Sequence, residues 1–286
     1  MSLILNIAVD GIAYGMILFM ISIGLSVTMG LMRVINLAHG AFALLGGAAA
    51  HALIARVGLS FTTAALLAIM ATMAIAFLLE RLVYRRIYGL GELQQVLATI
   101  GITFIFIALV NRLLGSSLLA IPLPQFLQQS VDLGFRVLPA HRLAVILAGA
   151  VVIAGLYLTI ERSRFGTRLR AAVDNRSIAS ALGINIDAVF AATFCLGAGL
   201  AALGGILGAE LLPIDAYYPL RYMVLFLIVV SVGGMGSITG SFMAALALGI
   251  LETASRYLIP DFGTIVFFAA VMAVLAIRPR GLLGKA

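Results

Sequence analysis

Nine apolar stretches, parted by short polar or cationic segments, leave this chain one medium to fold in. They run over Leu3 to Leu31 and over about 41–55, 61–83, 95–114, 142–160, 188–209, 222–232, 238–255 and 262–277. Most approach the roughly 20 residues that cross a ~30 Å hydrocarbon core at ~1.5 Å per residue. Residues 222–232 span only ~17 Å at that rise, and 41–55 is also short. Charged residues make up 10% of the 286, and mean hydropathy is +1.20; a soluble domain carries about 25% charge. A soluble enzyme, a secreted disulfide scaffold and a disordered chain are excluded. Cys195 stands alone, so it forms no intrachain disulfide. The first run has no Lys or Arg before it and exceeds the apolar core of a signal peptide, so it reads as a retained span.

Charge sets the orientation. The net charge is +7, and 17 of the 18 cations are Arg. Eleven of the 18 fall in three segments: Arg81, Arg85 and Arg86; Arg162, Arg164, Arg168, Arg170 and Arg176; Arg278, Arg280 and Lys285. Cations flank membrane spans on the cytoplasmic side, which accounts for the basicity without a nucleic-acid partner. Residues 115–141 then form an outer loop, with Pro122, Pro124, Pro139 and Arg136, and 161–187 a cytoplasmic loop. Arg33 on the inside puts the N-terminus outside.

Crossings between the 161–187 loop and the tail must be even in number. Parity holds if 222–232 and 238–255 form a pair that enters and leaves on the outer side. Gly233-Gly234-Met235-Gly236-Ser237 breaks the helix between them. Irregular backbone at membrane depth survives only where protein buries it or water lines it. Asn36-Leu37-Ala38-His39-Gly40 makes a similar break before 41–55. Broken helices at corresponding places in two halves point to a transport pathway. The expected fold is an all-α polytopic membrane protein. It has about eight transmembrane helices, two broken or re-entrant segments, and halves arranged like an inverted repeat, in one transmembrane domain over 1–286.

Few polar residues interrupt the runs. Asn6, Asp10 and Tyr14 share a helix face, with Gly11 and Gly15 on an adjacent one suited to close helix packing. Asp10 reads either as a pathway group or as a residue hydrated near the membrane edge. His39 has no His, Cys or carboxylate at a ligand spacing, so no metal site is expected, and pinning of the break is its simplest role. In the 161–187 loop the apolar spacing predicts two short helices, with Asp174-Asn175 capping between them and Gly183 ending the second. No Gly-Lys-Ser/Thr phosphate loop is present, so any ATP is bound by another subunit.

Four segments in order resemble the LivH branch of the permeases of bacterial branched-chain amino acid ABC importers. They are Gly30 to Phe42, with Asn36, His39 and Gly40; Arg164 to Asn185, with Gly166, Arg170-Ala171-Ala172, Asp174-Asn175, Ala179 and Gly183; Gly233-Gly234-Met235-Gly236-Ser237 to Gly240; and Arg278 to Gly284. The resemblance spans almost the whole chain.

It implies a multi-pass permease of the bacterial inner membrane, itself no enzyme and holding no cofactor. ATP and Mg²⁺ would sit on two ABC ATPase subunits. A second, LivM-like permease and a periplasmic substrate-binding protein would complete the system, with lipid around it. The substrate would be a branched-chain or related amino acid or similar small polar solute. By carry-over, Arg164, Gly166, Arg170 to Ala172, Asp174, Asn175, Arg176, Ala179, Gly183 and Asn185 form the ATPase-coupling loop, with small residues such as Ala171, Ala172, Ala179 and Ala181 permitting close approach. Asp10, Asn36, His39, Gly40, Gly233, Gly234, Gly236 and Ser237 mark the pathway and its broken helices. The family of importers at large begins this loop Glu-Ala-Ala, whereas here Arg170 precedes the two alanines. Rival readings are a stand-alone secondary transporter or channel, which leaves the 161–187 loop without a role, and an intramembrane enzyme using Asp10 or His39, which lacks a second catalytic group.

Overall fold

The computed structural model describes residues 2–30, 32, 34–132 and 137–283. Leu31, Arg33, Arg136, Gly284 and Lys285 lie outside the described residues. Most of the described chain is helical. The helices are α1 (Ser2–Gly30), α2 (His39–Val57), α3 (Phe61–Ile87), α4 (Glu92–Leu114), α5 (Gln125–Gln128), α6 (Ala140–Glu161), α7 (Arg164–Asp174), α8 (Arg176–Ala181), α9 (Ile186–Gly208), α10 (Tyr218–Gly233), α11 (Ile238–Leu258) and α12 (Gly263–Ile277). A small antiparallel hairpin, β1 (Ser130–Asp132) with β2 (Val137–Pro139), lies in the outer loop.

Among the described residues, seven helices are long and apolar enough to cross a membrane: α1, α2, α3, α4, α6, α9 and α11. The shorter α10 and α12 complete the bundle. α1 is the axis. It is apolar on every side and buried along most of its length, packed by α2, α6, α9, α10 and α11. α3, α4, α6 and α12 turn Met70, Ile105, Leu147 and Met272 outward, a surface suited to lipid. Two π-helical turns, Glu80–Tyr84 within α3 and Tyr157–Glu161 ending α6, rotate the helix face locally.

Glycine decides how closely α1 approaches its neighbours. A Cβ on Gly11 would lie 2.6 Å from the Ile250 Cα, one on Gly15 2.7 Å from the Ala245 oxygen, and one on Gly30 1.9 Å from the Gly236 nitrogen. These contacts run in opposite senses along the two segments, so α11 is antiparallel to α1.

The bundle therefore has two distinct ends. The cation-rich end holds the last turn of α1, the C-termini of α3 and α6, helices α7 and α8, the α10–α11 turn and the tail. The other end holds Asp10, the outer loop, the start of α6 and the last turn of α11. The α10–α11 turn lies at the cation-rich end and α11 finishes beside Asp10, which satisfies the crossing arithmetic. Gly233 and Gly234 are buried there, while Met235 is exposed.

Candidate functional site

The first break runs as irregular backbone from the end of α1 back into the bundle. With no water at depth, its N–H groups need partners from protein. The Ile35 N–H donates to Gln95 Oε1 at 3.1 Å, and the Leu37 N–H to Thr99 Oγ1 at 3.2 Å. Asn36 Oδ1 accepts from the Ala38 N–H at 3.1 Å and from the Tyr84 hydroxyl at 2.8 Å. Asn36 is fully buried. His39, also buried, bonds through Nε2 to the Ile21 carbonyl at 3.0 Å and stands edge-on to Phe42. Gly24 makes room for it, since a Cβ there would lie 2.5 Å from His39 Cε1. Asp10 is not near this cluster: it pairs with Arg142 and accepts from the Tyr257 hydroxyl at 2.9 Å at the other end of the bundle. At 5% exposure it is a buried ion-pair member at the outer end of the bundle.

A second segment repeats this form, and no motif in the sequence announces it. After α9, residues 209–217 run irregularly to α10, with Leu212, Ile214, Asp215 and Ala216 buried and Glu210 and Tyr217 exposed. Asp215 does what Asn36 does. Its Oδ1 accepts from the N–H two residues on (Tyr217, 2.9 Å), and its carbonyl accepts from the residue after that (Tyr218, 3.1 Å), as Asn36 does from His39 (3.4 Å). The parent helices α1 and α9 are antiparallel, with Ile17, Ile21 and Gly24 against Gly208, Gly204 and Gly197. The daughter helices α2 and α10 meet at their starts, where a Cβ on Gly40 would lie 3.5 Å from the Pro219 Cα. The inverted repeat therefore pairs α1–α2 with α9–α10. Asn36 answers to Asp215, not to the Gly233–Ser237 break. A lone carboxylate between Pro213 and Pro219 in an apolar stretch is the one available signal.

The Gly233–Ser237 break is built differently. Gly236, Ser237 and Gly30 line one wall of a cleft of about 580 Å³, with Glu161, Arg170 and Asp174 on the other. Gly234 and Gly236 have positive φ (93° and 80°). Ser237 Oγ caps α11 by accepting from the Gly240 N–H at 3.0 Å. The tail closes the break from below. Leu282 and Leu283 donate their N–H groups to the Val232 and Gly233 carbonyls, acceptors that the end of α10 would otherwise leave open. Gly281, at φ 81°, allows that approach. All four sequence motifs thus contribute to one region: Gly30 from the first, α7 from the second, Gly236 from the third and Gly281 from the fourth.

Helices α7 and α8 are set by their caps. Ser163 Oγ accepts from the Phe165 and Gly166 N–H groups, Asn175 Oδ1 from Ile178, and Asn185 Oδ1 from Ala188. Gly183, at φ 79°, ends the second helix. Gly166 sits where a Cβ would lie 1.7 Å from the Ile160 carbonyl oxygen, and the Arg170 guanidinium donates to that same oxygen at 2.9 Å. Arg176 lies over the Phe190 ring, 4.9 Å from its centroid. Nearby, burial pushes the Tyr88 phenol pKa upward, so it stays protonated beside Glu80. One expectation needs correction. Ala172 and Ala179 are not outward-facing small residues. Ala172 is 0% exposed and packs inward with Leu169, because the 11-residue amphipathic α7 turns its apolar stripe to the bundle, and Ala179 in α8 is 1% exposed. Ala181 is exposed and Ala171 partly so, and the large apolar residues that project outward beside them are Ile178 and Leu182, 59% and 75% exposed.

The family model for the branched-chain amino acid transport system permease component matches residues 7–275. The chain belongs to this family. It is 30% identical to the high-affinity branched-chain amino acid transport system permease protein BraD of Pseudomonas aeruginosa, over 97% of this chain and 94% of that one. It is 28% identical to the LivH permease protein of Escherichia coli, over 96% and 94%. A probable LivH of Methanocaldococcus jannaschii is 26% identical over 96% and 90%. No solved structure matches. The chain is thus a LivH-type permease and a multi-pass protein of the inner membrane, and the apolar bundle is its transport body.

Proposed function

We propose that this permease is the LivH-type subunit of a binding-protein-dependent ABC importer of branched-chain or related amino acids. Its α7–α8 hairpin is the seat for an ATPase subunit. The observation that carries this reading is the pairing of exposed Ile178 and Leu182 with the cleft behind them. The hairpin presents an apolar tip outward, and on its inner side faces Gly30, Gly236 and Ser237. A displacement of α7 would open or close this cleft, whose far wall is the end of the axial helix and the α10–α11 turn.

The remaining parts follow from this. A periplasmic binding protein delivers the amino acid to the end that holds the outer loop. Two ATPases, holding ATP and Mg²⁺, close and pull the hairpins of this chain and of a LivM-like partner. The bundle then alternates access, with α2 and α10 meeting at their starts near the centre. This chain binds neither nucleotide nor metal in the scheme.

Arg substitution at Leu182 and at Ile178 tests the seat. Both are surface positions, so the membrane body keeps its fold. The expected outcome is loss of ligand-stimulated ATP hydrolysis in the reconstituted transporter, with normal amounts of permease in the membrane. Wild-type stimulation in the Leu182→Arg/Ile178→Arg chain would overturn the assignment.

A further inference from the structure

At the end opposite the cleft, Asp10, Tyr14, Arg142, Glu252, Arg256 and Tyr257 surround a cavity of about 150 Å³, with Leu211 as an apolar wall. At about 30 Å³ per water, this is room for roughly five waters or one small amino acid. Its charges cancel, two carboxylates against two guanidinium groups. Asp10 is held by Arg142 and by the Tyr257 hydroxyl. Glu252 is held by Arg256, which reaches it through Nε at 2.9 Å and a terminal nitrogen at 2.7 Å. The two members of that pair differ in position: the Glu252 side chain is 9% exposed and that of Arg256 71%. The carboxylate forms the floor, and the guanidinium is drawn over it from outside.

A second observation comes from beneath the floor. Tyr218, the first residue of α10, has no exposed surface, and its hydroxyl has no hydrogen-bond partner among the described residues. It lies within electrostatic reach of Tyr14 and Tyr222. A buried hydroxyl left open is costly unless something pairs with it. The tyrosines lead from the cavity to the place where α2 and α10 meet.

We propose that this cavity is the outer subsite for one zwitterionic α-amino acid, with Glu252 receiving the ammonium group and Arg142 and Arg256 the carboxylate. The proposal rests on the importer reading above. Its logic is charge exchange. A zwitterion entering between Glu252 and Arg256 replaces one ion pair by two and adds no net charge. A ligand with only one of the two charges leaves either the buried carboxylate or a guanidinium without a partner, which is strongly disfavoured. Tyr14 and the open Tyr218 hydroxyl stand ready on the inward side for the next position.

The test is equilibrium binding of radiolabelled L-leucine to the assembled permease–ATPase complex in nanodiscs, without binding protein. Leucine import by proteoliposomes with binding protein is measured in parallel. The expected result is saturable binding, weakened at least tenfold by Glu252→Gln and by the double variant Glu252→Gln/Arg256→Gln, which leaves neither charge stranded and so protects the fold. Leucinamide, which lacks the carboxylate, and 4-methylpentanoate, which lacks the amine, should each compete at least tenfold less well than leucine. Unchanged binding in the double variant, or equal competition by either analogue, overturns the subsite and leaves the importer reading standing if import persists. Failure of the wild-type complex to import any amino acid overturns the importer reading and the subsite with it.

Discussion

The break before α2 and the break before α11 both interrupt apolar helices, yet they are held by opposite means. The first lies inside the bundle and is held by side chains: Gln95, Thr99, Tyr84 and Asn36 supply the partners that water would supply elsewhere. The second lies at the cation-rich end and is held mainly by close backbone packing, with Ser237 Oγ capping α11. Gly30, Gly236, Gly240 and Gly281 let four stretches of backbone touch, and the tail fills the open carbonyls. Depth explains the difference. Irregular backbone far from water must be hydrogen-bonded by protein, whereas a turn at the end of the bundle needs only a route for the chain to pass. The first arrangement depends on particular side chains. The second is a close-packed joint placed against the helix pair on which an ATPase would act.

Substitutions that load one break and spare the other sharpen this contrast. The largest effect is expected at Gly30. Leucine there drives a side chain into the Gly236 backbone and should abolish the folded permease. Alanine should destabilise it by ~1–3 kcal/mol, the usual scale of overpacking. Size-exclusion profiles after heating would measure both, and a Gly30→Ala chain as stable as wild type would contradict the backbone contact.

Next comes Asn36→Leu, which strands the Ala38 N–H and the Tyr84 hydroxyl in the interior at ~1–3 kcal/mol for each. If this change costs no more than an exposed substitution, side chains do not hold the first break. A smaller loss, ~1 kcal/mol, is expected for Tyr84→Phe, which removes one donor while Asn36 Oδ1 keeps the Ala38 N–H. Comparing the Tyr84→Phe and Asn36→Leu melting curves checks that order.

The smallest effect belongs to Asp215→Asn. The amide oxygen preserves the bond to the Tyr217 N–H and gives up only the pair with the half-exposed Arg221 guanidinium. A change within ~0–1 kcal/mol is expected. A loss as large as that of Asn36→Leu would show that the charge, not the turn, is what Asp215 provides.

Some of these features are legible in the order of residues alone. Gly11 and Gly15 on one helix face imply a close helix crossing, and both meet α11. Spacing implies the two short helices of the 161–187 loop, with Asn175 as cap and Gly183 as terminator, since capping depends on residues a few positions apart. The role of Asp215 is not legible in this way. Its segment has the composition of an outer connection, and only the folded chain shows that it dips between α9 and α10 to mirror Asn36. Nor do the alanines of α7 and α8 reveal which way they point, because a small residue suits a buried face and a docking face equally well.

Sequence by itself determined the medium, the order of the apolar runs, and the places where helix cannot continue, though not which runs are long: 41–55 reads as short, yet His39–Val57 is long enough to cross, while Gly263–Ile277 is not. These depend on the length and apolarity of local runs, and on glycine and proline within them. Tertiary structure alone decided which breaks correspond, which end of the bundle each occupies, and that Asp10, Glu252, Arg142 and Arg256 share one cavity. Those facts depend on antiparallel packing around α1. That packing joins residues more than 200 positions apart, such as Asp10 and Tyr257, and no local pattern encodes it.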